Sequence, residues 1–224
     1  LLSFTLSELY LRYLESNHDN RALSAADYRA LGGVAGALTR RATEEYEALV
    51  AEDTAYEKTI KHVMLRMVSV EGGELASRRA PMSELVYTER IENERVQKLL
   101  QKMIAARLVV RGQEGASEPY VEPAHDALVR GWDKLLRWKN EKQEDLILQR
   151  KLTSQSKDWE LSRQTESLSK ARGFLWDDNP RLELLTKAAA ANRHWLNKLE
   201  TTFVDTSVKK KNTLRRRRVT AVIT

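Results

Sequence analysis

Apolar residues recur every three or four positions through most of this chain, the spacing that puts one stripe of a helix into a core. Leu2, Leu6, Leu9, Tyr10 and Tyr13 share such a stripe and predict a helix over residues 2–15, and His18-Asp19-Asn20 predicts the loop after it. Ser24-Ala25-Ala26-Asp27 has the form of a capping box, in which a hydroxyl and a carboxylate three residues apart satisfy each other's free amides. The short helix it opens is broken by Gly32-Gly33, and a third helix runs from about Val34 to Leu49. Asp53-Thr54 opens a fourth, in which Tyr56, Ile60, Val63, Met64, Met67 and Val68 keep the helical spacing as far as Gly72-Gly73.

The pattern then changes. Glu74 to Arg78 predicts a short strand, Pro81 and Ser83 start a brief helix to about Tyr87, and Ile91, Val96, Leu99, Leu100, Met103 and Ile104 predict a long one to Ala106. Leu108 to Arg111 and Tyr120 to Glu122 predict two strands around a turn-rich loop, Gly112 to Pro119. Helix, strand, helix, helix and hairpin in that order is the winged-helix pattern. Beyond His125 the spacing is helical again, with breaks expected between Lys142 and Asp145, at Gly173 and at Asp177-Asp178-Asn179-Pro180. Helices are expected over 127–142, 145–163, 182–193 and 198–214. Trp132, Trp138, Trp159, Trp176 and Trp195 are all five tryptophans of the chain, and their placement on this stretch predicts a helical bundle packed around aromatic rings. The expected fold is therefore mainly α: linker helices over 1–52, a winged-helix domain with a small β-hairpin wing over 53–125, a helical arm over 126–208, and a basic tail over 209–224.

Composition narrows the function. Zero Cys excludes a disulfide scaffold and a thiolate metal site, and accords with a reducing cytosol. No apolar run of membrane length and no signal peptide is present in the sequence. A first residue other than Met and a last run, Val219 to Thr224, that stops among apolar residues lead to the expectation of a piece of a longer protein. The net charge of +6 is uneven: residues 209–224 hold Lys209, Lys210, Lys211 and Arg215 to Arg218 and no acid. Taking those seven from 38 basic residues leaves 31 against 32 acids, net −1 over the other 208 residues. The basic signal belongs to the tail alone. It reads as a solvated helix end, as the flank of a membrane helix starting at Val219, or as a nonspecific binder of anionic lipid or nucleic acid.

One stretch carries candidate chemistry. In Tyr120-Val121-Glu122-Pro123-Ala124-His125-Asp126-Ala127-Leu128 a strand is stopped by proline, and a His-Asp pair follows at the start of a helix. A neutral imidazole there can donate one N–H to a phosphate oxygen, and a protonated one adds charge; equally, it can cap the helix or satisfy a buried carbonyl. Asp126 reads as a helix-start acid favoured by the dipole and the free amides. His18, His62 and His194 lack partners at ligand spacing, so no metal is expected. Glu44-Glu45 and Asp177-Asp178 read as solvated faces, and no Ser-His-Asp or Cys-His set is present.

Ala124-His125-Asp126, followed by Ala127-Leu128-Val129-Arg130, resembles the Met-His-Asp motif of the STAND class of signalling NTPases, with alanine in the methionine position. Leu1 to Tyr10, Tyr28 to Leu38 and Leu135 to Trp159 extend the likeness, in order, to the C-terminal half of the bacterial novel STAND NTPases, which are often followed by a β-propeller of tryptophan-aspartate repeats. The resemblance implies a cytoplasmic regulatory arm in which His125 touches the β-phosphate of ADP. It implies ATP or ADP held mainly by an upstream domain, and self-association on activation. Its partners would be that nucleotide domain and a C-terminal repeat domain. No G-x-x-x-x-G-K-[ST] loop is present, and Gly32-Gly33-Val34-Ala35-Gly36, without a following Lys-Ser/Thr, reads as a helix boundary needing small residues. This stretch alone is expected not to hydrolyse ATP. The alternative is a DNA-binding winged helix with a dimerising bundle. Its recognition helix would be Ile91 to Ala106, with Glu92 and Glu94 at the groove-entering end and Arg95, Lys98 and Lys102 as its bases. A purely structural dimerisation bundle is the third reading.

Overall fold

In the computed structural model, which describes residues 2–15, 23–71, 74–191 and 195–223, the chain is mainly helical, 73% by residue, with small antiparallel sheets. It forms two compact units: residues 1–82 with 94–141, and residues 83–93 with 142–224.

The first unit opens with α1 (Leu2–Glu15), α2 (Ala25–Ala30) and α3 (Gly33–Glu52). The expected loop at His18-Asp19-Asn20 lies outside the described residues. Ser24 caps α2 as its sequence implies: the Asp27 amide donates to Ser24 Oγ at 3.2 Å, and the Ser24 amide donates to Asp27 Oδ2 at 2.9 Å. The glycines after α2 are required by the backbone. Gly32 and Gly33 take φ of 78° and 66°, left-handed values that side chains resist. A Cβ on Gly36 would lie 2.3 Å from the Leu31 carbonyl oxygen.

α4 (Tyr56–Arg66) ends earlier than its apolar spacing implies. Met67 and Val68 continue the helical stripe, yet Val68–Glu71 is strand β1, paired antiparallel with β2 (Glu74–Ser77), Val68 opposite Ser77. In Val68-Ser69-Val70-Glu71 a period of two competes with the period of 3.6, and pairing with β2 decides for the strand. Arg78 closes the end of α4. Its amide donates to the Met67 carbonyl at 2.8 Å, and its guanidinium donates to the Arg66 carbonyl at 2.8 Å.

β3 (Ala80–Pro81), β5 (Tyr120–Pro123) and β4 (Val109–Gly112) form a three-stranded sheet in the order β3-β5-β4, all antiparallel, with Ala80 and Arg111 both opposite Val121. Between β3 and β4 come a 3-10 turn (Met82–Leu85) and α5 (Arg90–Ala105). α5 stops where Arg107 takes a φ of 57°, its amide donating to Ile104 and the Leu108 amide to Met103. Ile60, Val63 and Met64 of α4 are fully buried, as are Leu99 and Met103 of α5 and Val121 of β5. After β5 come α6 (Asp126–Gly131) and the start of α7 (Asp133–Thr165). The expected continuous helix over 127–142 is interrupted at Trp132, whose extended backbone (φ −83°, ψ 105°) ends α6.

Trp132 explains the interruption. Its ring is buried edge-on to Tyr46 and Trp138, with centroids 6.4 and 5.5 Å away, and its indole N–H donates to Thr43 Oγ1 at 3.1 Å. The turn sends this side chain onto α3, and tertiary packing overrides helix propensity.

The second unit begins where α7 loses helical geometry, at Lys142 (φ −123°, ψ 15°), and continues through α8 (Leu168–Phe174), α9 (Arg181–Ala191) and α10 (Lys198–Ile223). Its core gathers Leu152, Trp159, Leu175, Trp176, Leu185 and Phe203, with both indoles edge-on to the Phe203 ring. The five tryptophans therefore serve two cores, not one bundle. A buried polar network locks α10 to α7. Asn197 and Glu200 form a capping box; Thr153 Oγ1 donates to Glu200 Oε1 at 2.6 Å, and Gln149 Nε2 donates to the Trp195 carbonyl at 2.7 Å. The 83–93 segment docks by Glu84, a buried carboxylate held by Lys157 Nζ at 2.8 Å, and by the Val86 carbonyl, which accepts from the Lys198 amide at 2.8 Å. α10 runs past the expected Leu214, so the basic tail is helical. Among the described residues no helix is long and apolar enough to cross a membrane.

Candidate functional site

The strand-to-helix junction around His125 is held from both sides. The Ala124 amide donates to the Leu108 carbonyl at 2.9 Å, extending the pairing of β5 with β4 by one residue. His125 then has the extended backbone of an N-cap (φ −153°, ψ 136°), and its carbonyl accepts from the Leu128 amide at 3.0 Å. Pro123 ends the strand, and Leu128 and Val129 bury the first turn of α6. The residue between strand and helix thus has little backbone freedom.

The ring itself makes no capping hydrogen bond to α6. Of the two structural roles open to it in the sequence, helix capping is the one the geometry removes. The side chain is half-buried, and burial pushes its pKa below the ordinary 6.5. At neutral pH the imidazole is therefore uncharged, with one nitrogen donating and one accepting. Such a group can meet an anionic oxygen through one N–H without a permanent buried charge.

Asp126 occupies the first turn of α6, where an acid is favoured, and also accepts a hydrogen bond from Ser77 Oγ at 2.5 Å. The second role was not visible in the sequence. Ser77 ends β2, 49 positions earlier, and no local pattern joins the two. This bond ties the histidine-bearing turn to the β1–β2 hairpin.

His62 is buried on α4, and His18 and His194 lie outside the described residues. Among the described residues no three His, Cys, Asp or Glu side chains are placed to hold a metal ion. The bases of α5 are engaged within the unit: Arg95 pairs with Asp53 at 3.0 Å, Lys102 with Glu52 at 2.9 Å, and Lys98 also with Glu52. The hydrogen bonds from Lys98 and Lys102 hold the Glu52 carboxyl below its usual range. Glu92, at the start of the same helix, is buried. With Arg95, Lys98 and Lys102 paired to Glu52 and Asp53 at the end of α3, the body of α5 has little of the phosphate-facing charge that groove binding needs.

The family model described as novel STAND NTPase 1 matches residues 1–167 of the chain. No curated protein and no solved structure matches it.

Proposed function

The chain belongs to the novel STAND NTPase 1 family, whose members are STAND-type signalling proteins, and from that premise we propose that it is the regulatory region of a nucleotide switch. In this reading residues 53–125 are a winged-helix domain that faces a nucleotide-binding domain supplied by the same protein. Residues 1–52 are the linker helices, and residues 126–208 are an arm that couples detection of a signal to self-association. His125 is the sensor. Its N–H meets the β-phosphate of ADP in the resting state and loses that partner when ATP replaces ADP and the domains rearrange. The stretch binds no metal itself and acts in the cytoplasm, with a C-terminal sensing domain as its further partner.

One observation carries this reading: a half-buried, neutral imidazole at a rigid strand-to-helix junction, with its capping valence unused. The strand order β3-β5-β4, with α5 inserted before the β4–β5 wing, supports a winged-helix identity. The paired cations of α5 weigh against DNA reading.

A single N–H donor is too little to hold a nucleotide, since one charge-assisted hydrogen bond contributes about 1.5–3 kcal/mol while micromolar binding needs about 8 kcal/mol. Titration of the 224-residue chain with fluorescent ADP or ATP should therefore give no saturable binding at micromolar concentrations and no ATPase activity above background. Stoichiometric binding by this chain alone would overturn the idea of a site shared with another domain.

A further inference from the structure

In the second unit an open groove of about 440 Å³ lies between the end of α7, α8 and α10. Its floor is apolar: Trp159, Leu168, Ala171 and Leu175 line it. Its rim is cationic, formed by Arg163, Arg172, Lys209 and Lys210, and among the described residues no acidic one lines it. Leu168 is 71% exposed, the most exposed of the large apolar side chains among the described residues, and it borders the groove. An apolar trough with a rim of one charge is complementary to an amphipathic segment of the opposite charge.

The polar groups along the α10 wall narrow the choice. Thr202, Thr206 and Thr213 line the groove, but each hydroxyl donates to a carbonyl of its own helix, at 2.7, 2.6 and 2.9 Å. They offer no donor to a sugar or a base, and Trp159 is buried below the surface where a base would stack. Two rim cations are already engaged: Arg163 pairs with Glu160 and lies over the Trp159 ring, and Lys210 pairs with Asp177. Arg172 and Lys209 have no acidic partner among the described residues. From Thr202 to Thr213 the wall is about 16 Å long at ~1.5 Å per residue, three turns of a partner helix. Apart from Trp159 and Arg163, the residues that line the groove lie beyond the stretch matched by the family model.

We propose that this groove is a docking site for an acidic amphipathic helix of about three turns. The helix would seat apolar side chains on Leu168 and Leu175 and set its carboxylates against Arg172 and Lys209. The proposal is independent of the nucleotide-sensing role of His125.

The test uses fluorescence anisotropy with labelled peptides of about 14 residues. One panel carries leucine or phenylalanine at helical spacing with glutamate elsewhere; a matched panel carries lysine in place of glutamate. The intact chain should bind the glutamate panel saturably and the lysine panel not at all. Leu168→Ser and the double variant Arg172→Glu/Lys209→Glu should each weaken binding by about tenfold, the loss expected for one central contact. Both leave circular dichroism and melting unchanged, because all three side chains are exposed. Failure of every glutamate peptide to bind overturns the proposal, as does binding that the variants leave intact. Two further results overturn it: capture by vesicles containing an anionic phospholipid that both variants abolish while peptide binding is absent, and dimerisation of the chain in sedimentation that Leu168→Ser abolishes.

Discussion

Replacing Gly36 by alanine reverses the usual sign of a glycine-to-alanine change in a helix. Gly36 lies in the first turn of α3, where alanine is intrinsically favoured over glycine by about 0.8–1 kcal/mol. At this position, however, the new Cβ would fall 2.3 Å from the Leu31 oxygen and 3.1 Å from its carbonyl carbon. Leu31 is buried, and both contact atoms are backbone, so no side chain can swing away. Relief requires α3 to shift against the α2–α3 turn, the kind of overpacking that costs about 1–3 kcal/mol. The Gly32 φ of 78° leaves that turn few alternatives. Because the 2.3 Å contact is with backbone that cannot swing away, the strain lies in the upper part of that range, about 2–3 kcal/mol, and less the propensity gain of about 0.8–1 kcal/mol the net effect of Gly36→Ala is a loss of about 1–2 kcal/mol. Gly173 is the control. It lies near the end of α8, and a methyl group there would meet nothing within 4 Å, so Gly173→Ala should gain up to about 0.5–1 kcal/mol. Urea unfolding followed by circular dichroism measures both. A neutral or stabilising Gly36→Ala would refute the packing of α3 on the Leu31 carbonyl.

Two further outcomes follow from the charges of the second unit. Asp177 and Glu183 have pKa values below their ordinary 3.8 and 4.5, chiefly through hydrogen bonds from Lys210 and Lys211. Depressed carboxyl pKa values contribute stability that is present above the unfolded values and lost as pH falls through the folded ones. Acid unfolding below about pH 4.5 should therefore be steeper in the wild type than in Lys210→Met/Lys211→Met, as read by unfolding at stepped pH; identical profiles would show that the pairs do not form. Duplex DNA binding, where it occurs, should be sequence-independent, should fall steeply with salt, and should vanish when residues 209–224 are removed. Sequence-selective binding that survives that removal, in a gel-shift titration, would favour a DNA-reading winged helix.

The local parts of this fold were legible, and the long-range parts were not. The Ser24–Asp27 box, the Gly32-Gly33 break and the strand stop at Pro123 are written in three or four adjacent residues, and each lies where the sequence puts it. The weakening of α7 near Lys142 was also legible, as the break expected between Lys142 and Asp145. β1 was not, because Val68 fits a helix as well as a strand until β2 pairs with it. The turn at Trp132 depends on Tyr46 and Thr43, nearly ninety positions away, and no periodicity encodes that. At the candidate site, the junction that carries His125 could be read from the sequence. The uncharged state of its ring depends on burial, and the Ser77–Asp126 tie depends on the hairpin, so both required the structure. The neutralisation of α5 by Glu52 and Asp53 is of the same kind.

The central claim is that His125 reports the bound nucleotide, and the rate of ADP release tests it most directly. If, as proposed, this region meets a nucleotide-binding domain in a longer protein, His125→Ala in that protein removes one hydrogen bond to phosphate, a contribution of about 1.5–3 kcal/mol. Stopped-flow chase of fluorescent ADP should show release accelerated about ten- to a hundredfold, with the melting temperature of the isolated chain nearly unchanged because the ring caps nothing. An unchanged release rate, or a variant chain that no longer folds, would contradict the sensor role and make His125 a structural residue.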